Sequence, residues 1–492
     1  MFDRNNPEII WVSPDNSKGQ GTWENPYGSI KEALQVTKPG NTIVLKEGIY
    51  RENQTFEISG TPQKPVRLVS DDNATVIIEE SCWFFYDTCD LIITDLIFKN
   101  APLGAVSVIG TCKRNRFDSL HFINCGSKKE ASCTMYFGGS GGCFNVVENC
   151  RFEREDQLRD HLQTTDNASI AVMISEGDAN ESSPLIDHIL RRNHFSNYGF
   201  AILIGTRDST TNPYGHIVEF NTIRNCASDG IIVKCGDTQI RGNLIENCRS
   251  CSINIQAGVG SIIENNRITD CNTGISINGT GHSVTNNCLV RCKDEAIRVC
   301  GKQNEEKIAA SNLLIEKNTL IQCCAPDNQH SAFIRIEPGT TSVIQQNLFH
   351  GKGHPYRLSD FVMNQKAGVN SVTKIKTEAV IDNNLGSGDC EILKGITARA
   401  VDFVNEADCF ENDSGYGASG WVLKQEGFDV NGDEHDEQTD YLEASILEDD
   451  DGNLIIPGEN YNDDIFSRYF SESMDLQNFN LEEYGNSFPE NQ

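Results

Sequence analysis

The chain is poor in positive charge: 41 Lys and Arg stand against 71 Asp and Glu over 492 residues, a net of −30. A general basic surface for nucleic acid or anionic membrane is excluded on that balance, although a local basic strip is not. Long apolar runs are missing as well. None approaches the roughly 18 to 20 residues needed to cross a bilayer, so no integral membrane protein is expected. The opening residues MFDRNNP are polar and carry no signal-peptide stretch, so nothing there directs secretion. Cysteine, by contrast, is plentiful. Nineteen is an odd number in a chain too large to need staples, which favours free thiols in a reducing compartment over a complete disulfide framework.

What the chain does have is a repeat. Between about residues 190 and 325 the phrase Asn-x-[Ile/Leu]-x-x-Cys recurs as NTIRNC from Asn221, NLIENC from Asn243, NRITDC from Asn266, NCLVRC from Asn287 and NTLIQC from Asn318. The offset within the phrase is constant while the spacing between phrases varies, so insertions fall in loops. After each Cys comes a short alternating strand: GIIVK, SINIQ, GISIN, AIRVC and FIRIE. Alternation means one buried side and one exposed side. Strands this short cannot each bury their own apolar side, whereas coils stacked on one another form a continuous interior. The pattern predicts an all-β fold, a right-handed parallel β-helix. A leucine-rich repeat shares the period, but its Leu-dense phrase is missing and β-branched residues dominate. Weaker copies extend the solenoid through VVENCRF at Asn149, RRNHF at Asn193, IQQNLF at Asn347 and IDNNL at Asn383. Coils about 4.8 Å apart would stack Cys226, Cys248, Cys271, Cys292 and Cys323 into an interior ladder of soft side chains, a line and not the tetrahedron of a zinc site.

The ends of a solenoid need covers. SIKEALQV, from Ser29, has a capping box in Ser29 and Glu32 with Ile30, Ala33 and Leu34 on one face, so a short helix is expected to plug the N-terminal end. The expected division is an N-terminal cap over 1–40, the β-helix over 41–400 and an acidic extension over 401–492. From Tyr441 onward that extension carries about twelve net negative charges, the composition of a mobile tail or loosely packed arm. DVNGDEHDEQTD, from Asp429 to Asp440, matches part of a calcium-loop pattern but has Glu434 where the sharp turn needs Gly, and reads as a solvated turn.

On the alternating strands the interior residues include Ile231, Val233, Ile253, Ile255, Ile275 and Ile277, so their neighbours point outward. One outward column is Ile232, Asn254, Ser276, Arg298, Arg335; the next is Lys234, Gln256, Asn278, Cys300, Glu337. Polar outward residues need no explanation in themselves. Lys234, however, lies among amides, and Arg298 and Arg335 set positive charge on one face of an acidic protein. A groove of that kind suits a carboxylated or sulfated sugar chain. Asn254, Gln256, Asn278, Arg335 and Glu337 are the expected substrate contacts, and the loop residues Asn197, Asp229 and His282 are expected to reach the same face.

The stretch from about Asn193 to Val299 resembles the chondroitinase B and alginate lyase family of β-helical polysaccharide lyases. The likeness runs through SNYGFAILIG, VEFNTIRNCASDGIIVKC, RGNLIENC and GTGHSVTNN, about a quarter of the chain. It implies that Lys234 is the base that removes the C5 proton of a uronic acid, that an Asn and two acids hold a calcium ion on the uronate carboxylate, and that the protein is secreted. Asn197 matches the Asn and Asp229 one acid; Ala227 stands at the other. The family's catalytic Arg corresponds to Gln256.

β-Elimination needs the carboxylate next to C5 neutralised, a base, and an acid for the departing oxygen. Lys234 serves as base if neighbouring cations depress its pKa. Arg298, expected two coils along and about 10 Å away, would hold a neighbouring sugar, and His282 would donate the proton. The leading expectation is therefore a polysaccharide lyase, with an epimerase sharing the first half of the mechanism. Glycoside hydrolysis would rely on Asp229 and Glu337, and a binding or structural β-helix would have no turnover. The expected partner is an acidic polysaccharide, with no nucleic acid and no membrane, and the expected state is a monomer.

Overall fold

The computed structural model describes residues 2–14, 19–126, 133–139, 141–155, 169–175, 186–205, 215–301, 309–325, 331–359, 361–366, 369–398, 447–448 and 454–455. Among these residues strands dominate, with one helix, Ile30–Val36. The strands sort into three long sheets. The first has 14 strands from Ile9–Val12 to Glu378–Asp382, the second 14 from Gly48–Tyr50 to Ile396–Ala398, and the third 12 from Gln54–Phe56 to Tyr356–Leu358. Each turn of the chain visits them in that order, and neighbouring coils pair in parallel with the register kept from coil to coil. The fold is the expected right-handed parallel β-helix.

One hydrophobic core runs from Ile10 to Ile396. Its filling changes along the axis. In the early coils the inward position of the second sheet is aromatic: Phe98, Phe122, Phe152 and Phe195 stack with ring centroids 5.1, 4.6 and 4.9 Å apart. From Ile223 to Leu320 the same position is Ile or Leu, and Phe349 follows.

The corner between the first and second sheets belongs to asparagine. Asn193, Asn221, Asn243, Asn266, Asn287, Asn318, Asn347 and Asn384 are buried one above the other. From Asn221 onward each Oδ1 accepts the backbone N–H of the Asn one coil before, at 2.9 to 3.0 Å, and Asn193 Oδ1 accepts the Cys150 N–H at 2.9 Å. Each Nδ2 donates to a strand carbonyl, as Asn266 does to Ile240 at 2.8 Å. A sharp corner inside a solenoid leaves backbone groups without ladder partners, and the amide supplies both acceptor and donor. In two weak copies the ladder residue is displaced by one. Cys150 and Asn384 occupy the corner, while Asn149 and Asn383 precede it in the left-handed region, φ 51° and 49°. The cysteine column stacks as expected, with Cys248 N–H donating to Cys271 Sγ at 3.3 Å and Cys292 N–H to Cys323 Sγ at 3.4 Å. All five of its thiols are free and buried.

The N-terminal helix also forms as expected. Ser29 Oγ accepts the Glu32 N–H at 3.2 Å, and Ile30 and Ala33 enter the core. The Glu32 carboxylate reaches back to the Gly28 N–H at 3.0 Å, closing the box one residue early. The boundary at residue 41 moves, because Ile9–Val12 already pairs with Thr42–Leu45. Coil stacking therefore begins at Ile9, with the helix inserted between the first two strands. The acidic extension, including Asp429 to Asp440, lies outside the described residues except for Leu447–Glu448 and Leu454–Ile455, which pair antiparallel. No helix among the described residues is long and apolar enough to cross a membrane.

Candidate functional site

The outward side of the third sheet carries the candidate site. Its first column runs in register through Ile232, Asn254, Ser276, Arg298 and Arg335, and continues to Arg357. The second runs through Lys234, Gln256, Asn278, Cys300 and Glu337, each backbone N–H bonded to the strand one coil before. Both follow from alternation: Ile231, Val233, Ile253, Ile255, Ile275 and Ile277 are fully buried between them.

Lys234 sits half-buried at the end of Ile231–Val233, its N–H on the Ile204 carbonyl at 2.9 Å. Gln256 follows it one coil on. Asn278 Nδ2 donates to the Gln256 carbonyl at 3.1 Å, and Ser276 Oγ lies 3.2 Å from Cys300 Sγ. Asp229 is buried beside them. Its Oδ1 accepts the Cys251 N–H and its Oδ2 the Asn254 Nδ2, each at 2.9 Å, so it orients Asn254 toward the groove.

Three expected roles need correction. His282 does not reach the groove. It occupies the turn into the first sheet, 1% exposed, and its Nδ1 accepts the Ser261 N–H at 2.9 Å. That place belongs to a second interior column, where Asn115, Asn145, His188 and His216 likewise accept a backbone N–H from the coil before. Burial pushes His282 down to about 4, so near neutral pH it holds no proton to give beyond the one its neutral ring keeps. Arg298 stands three strand spacings from Lys234, not two, or about 14 Å. Glu337 is a clamp, not a contact for ligand. It is 7% exposed, and its Oε1 accepts Arg298 Nε and Nη2 at 2.8 and 2.6 Å while Oε2 accepts the Gly301 N–H at 3.0 Å. Arg335 Nη2 lies 3.3 Å from the same Oε1.

A calcium site does not assemble from these residues. Asn197 takes part in an outer amide ladder, donating to the Arg154 carbonyl at 2.8 Å and accepting from Asn225 at 3.3 Å. Both Asp229 oxygens are engaged, Ala227 offers no side-chain oxygen, and among the described residues no group of three or more His, Cys, Asp or Glu could hold a metal. Calcium wants six to eight oxygens, and the donor set present does not fit it. The hydrolase pair fails on distance: Asp229 and Glu337 are four coils apart, about 19 Å, against the roughly 5 to 10 Å that glycoside hydrolysis uses.

Two residues escaped sequence reading. Arg357, in YRL, extends the arginine column and donates Nε to the Ser331 carbonyl at 2.8 Å; its alternation with Tyr356 and Leu358 was the available signal. Glu295, 4% exposed, is turned to the groove edge because Ala296 and Ile297 both donate to the Phe333 carbonyl, a bulge no spacing announces. Burial raises its pKa, opposed by Arg298 and Arg335.

Set against known proteins, residues 180–349 match a family model described as a right handed beta helix region. A segment of 72 residues is 32% identical to the uncharacterized protein YwoF of Bacillus subtilis (strain 168), covering 14% of this chain and 15% of that protein. The PL6 family alginate lyase AlyGC superposes with a TM-score of 0.62 at 18% identity over 84% of this chain and 57% of its own. A mannuronic acid specific polysaccharide family 6 lyase from human gut microbiota gives 0.54 at 15% identity, over 80% and 92%. The PL6 family lyase Pedsa3628 from Pseudopedobacter saltans gives 0.55 at 16% identity, over 73% and 91%. The chain thus spans 57% of the length of AlyGC and 15% of YwoF. What it shares with these lyases is the β-helix itself.

Proposed function

We propose that the protein binds an acidic polysaccharide along the outward side of the third sheet and cleaves it by β-elimination with Lys234 as the base. The observation that carries this reading is the register that sets Lys234 on a polar sheet face, with Arg298, Arg335 and Arg357 stacked on one side of it. Three guanidiniums against the carboxylates of Glu337 and the buried Glu295 leave those described residues positive on a chain of net charge −30, a local attraction for a polyanion. The fold shared with alginate lyases supports the same substrate class.

In this reading the Lys234 amine takes the C5 proton of a uronate, the electron pair forms the C4=C5 double bond, and the C4–O bond breaks. The ammonium so formed returns the proton to the departing oxygen when both lie on one ring face, so the atoms balance without His282. The Asn254 and Gln256 amides, one coil along, are within reach of the uronate carboxylate, and amide donors aimed at a developing charge lower the barrier. The test is incubation with alginate, chondroitin or pectate, followed by the ultraviolet absorbance of the unsaturated uronate. Absorbance that rises with the wild-type chain and vanishes with Lys234→Ala supports the proposal; new reducing ends without absorbance overturn it. A second reading, a binder without turnover, is favoured by Gln256 where the related lyases carry Arg, and would show retention on polymer with neither signal.

A further inference from the structure

Lys234 marks a boundary. Followed toward the early coils, the column that becomes Asn, Ser and Arg beyond it is apolar: Ile232 pairs with Leu203, Leu203 with Met173, and Met173 with Tyr136. Ser107 comes next and then Phe84. Beside them the column of Lys234 is reduced to Gly205, Ser175 and Gly138, which carry little or no side chain. The Tyr136 ring lies down over Gly138. A Cβ at Gly138 would come within 2.4 Å of the Tyr136 ring, so the glycine is what lets the ring rest along the sheet. On these two columns no charged residue occurs from Ser107 to Leu203.

A chain bearing a carboxylate on every ring, laid along this face, meets arginines on one side of Lys234 and, among the described residues of these two columns, no cation on the other. Charge desolvated over such a surface without a partner is costly, whereas the apolar face of a pyranose, or an ester methyl, gains by covering Tyr136, Met173 and Leu203. Resting on the acidic-polysaccharide reading above, we infer that the substrate is of mixed character: its units over the early coils are neutral, their carboxylates esterified, and its free carboxylates lie over the late coils. Coil spacing of about 4.8 Å is close to one sugar ring per coil, so about four units would occupy the apolar half.

The experiment is affinity electrophoresis of the full chain in gels containing polygalacturonate, or the same polymer methyl-esterified in blocks so that neutral and charged runs follow one another. The expected result is retention about tenfold stronger on the block-esterified polymer than on bare polygalacturonate, a difference of about 1.4 kcal/mol. Tyr136→Ala should erase that preference and leave bare polygalacturonate unaffected; Leu203→Asp, also outward, should do the same if the alanine variant folds poorly. Arg335→Ala should weaken both polymers. Equal retention of bare and esterified polymer, or equal loss on both with Tyr136→Ala, overturns the mixed-substrate inference while the acidic-polysaccharide reading stands. Absence of retention on either polymer, unchanged by Arg335→Ala, overturns both.

Discussion

The two ends of this β-helix are built by one backbone rule and filled by different chemistry. In the early coils the second sheet packs a phenylalanine stack inward and the third sheet turns Tyr136, Met173 and Leu203 outward. In the late coils isoleucine fills the interior, a buried asparagine holds every first corner, and arginine and amides face out. Two polar columns overlap: Asn115, Asn145, His188 and His216 hold the turn into the first sheet, Asn193 begins the ladder at the turn out of it, and the coils of His188, His216 and His282 carry both. Register is therefore set redundantly, by whichever corner is polar, and outward residues are free to vary. Lys234 stands where the outward character switches.

The largest expected effect lies at that switch. Lys234→Ala should lower elimination by about a hundredfold to ten-thousandfold, the range of a lost general base. An outward residue at a strand end should change stability by no more than about 0.5 kcal/mol. Product absorbance and a urea melt on the same sample separate the two; a loss of activity matched by a loss of fold would mean that the lysine is structural.

Inside the late half the balance reverses. Asn266→Ala removes the acceptor for the Asn243 N–H and the donor to the Ile240 carbonyl, leaving two buried groups unsatisfied. A cost of about 3 kcal/mol is expected, read as a lower urea midpoint with an unchanged slope. A cost under about 1 kcal/mol would show that water enters the corner and that the ladder is not what sets the register.

The early half should instead be sensitive to acid. Burial holds His188 down to about 3 and His216 well below its usual range. Both are neutral in the fold at pH values where the unfolded chain is protonated. Their contribution is complete above the unfolded value near 6.5 and is lost as pH falls from there toward the folded values. His188→Asn keeps the acceptor that Asn115 and Asn145 supply in the same column and removes the titration. Between pH 7 and pH 4.5 the variant should lose about 2 kcal/mol less stability than the wild type. Parallel pH profiles would refute the burial of His188.

A smaller effect is expected at Glu337. Glu337→Gln removes the one carboxylate that clamps Arg298 and Arg335, so polyanion binding should strengthen a few-fold at low ionic strength and converge with the wild type at high salt. Weaker binding would mean that the clamp matters more for aiming the guanidiniums than for offsetting their charge.

Much of the scaffold was legible because its repeat is periodic. Alternation in GISIN and AIRVC separates interior from outward residues correctly, and the constant Asn-to-Cys offset marks two interior columns. The site was less legible, since its residues are set by what differs between coils. His282 looked like a groove residue because its distance from Asn278 is short; the turn between them folds it under the sheet, where Gly279 leaves room for its ring. Glu337 is outward by alternation, but Arg335 on its own strand and Arg298 from the coil before enclose it, and the Arg298 contact spans 39 residues of sequence. Between Lys234 and Arg298 the strand register sets three coil spacings where two were expected, because both Cys251–Ile255 and Thr273–Ile277 intervene.

The smallest effect expected is that of calcium. Asn197, the residue matched to a metal ligand, lies in the left-handed region at φ 63°, and its amide closes a row with Asn225 and Asn247 on the outside of the turn. Asp229 spends both oxygens on the next coil, aiming Asn254. To bind a cation it would have to release the Cys251 N–H, which is buried, and the ion would still lack the second acid that Ala227 replaces. Millimolar calcium should therefore leave the thermal midpoint unchanged within about 1 °C, and a chelator should not alter any elimination measured. The informative variant is Ala227→Glu. If it makes stability or turnover respond to calcium, the turn needs only the missing carboxylate, and the amide row is less rigid than its hydrogen bonds imply; if it does not, Asp229 is fixed as a support for Asn254, and carboxylate neutralisation falls to the Asn254 and Gln256 amides.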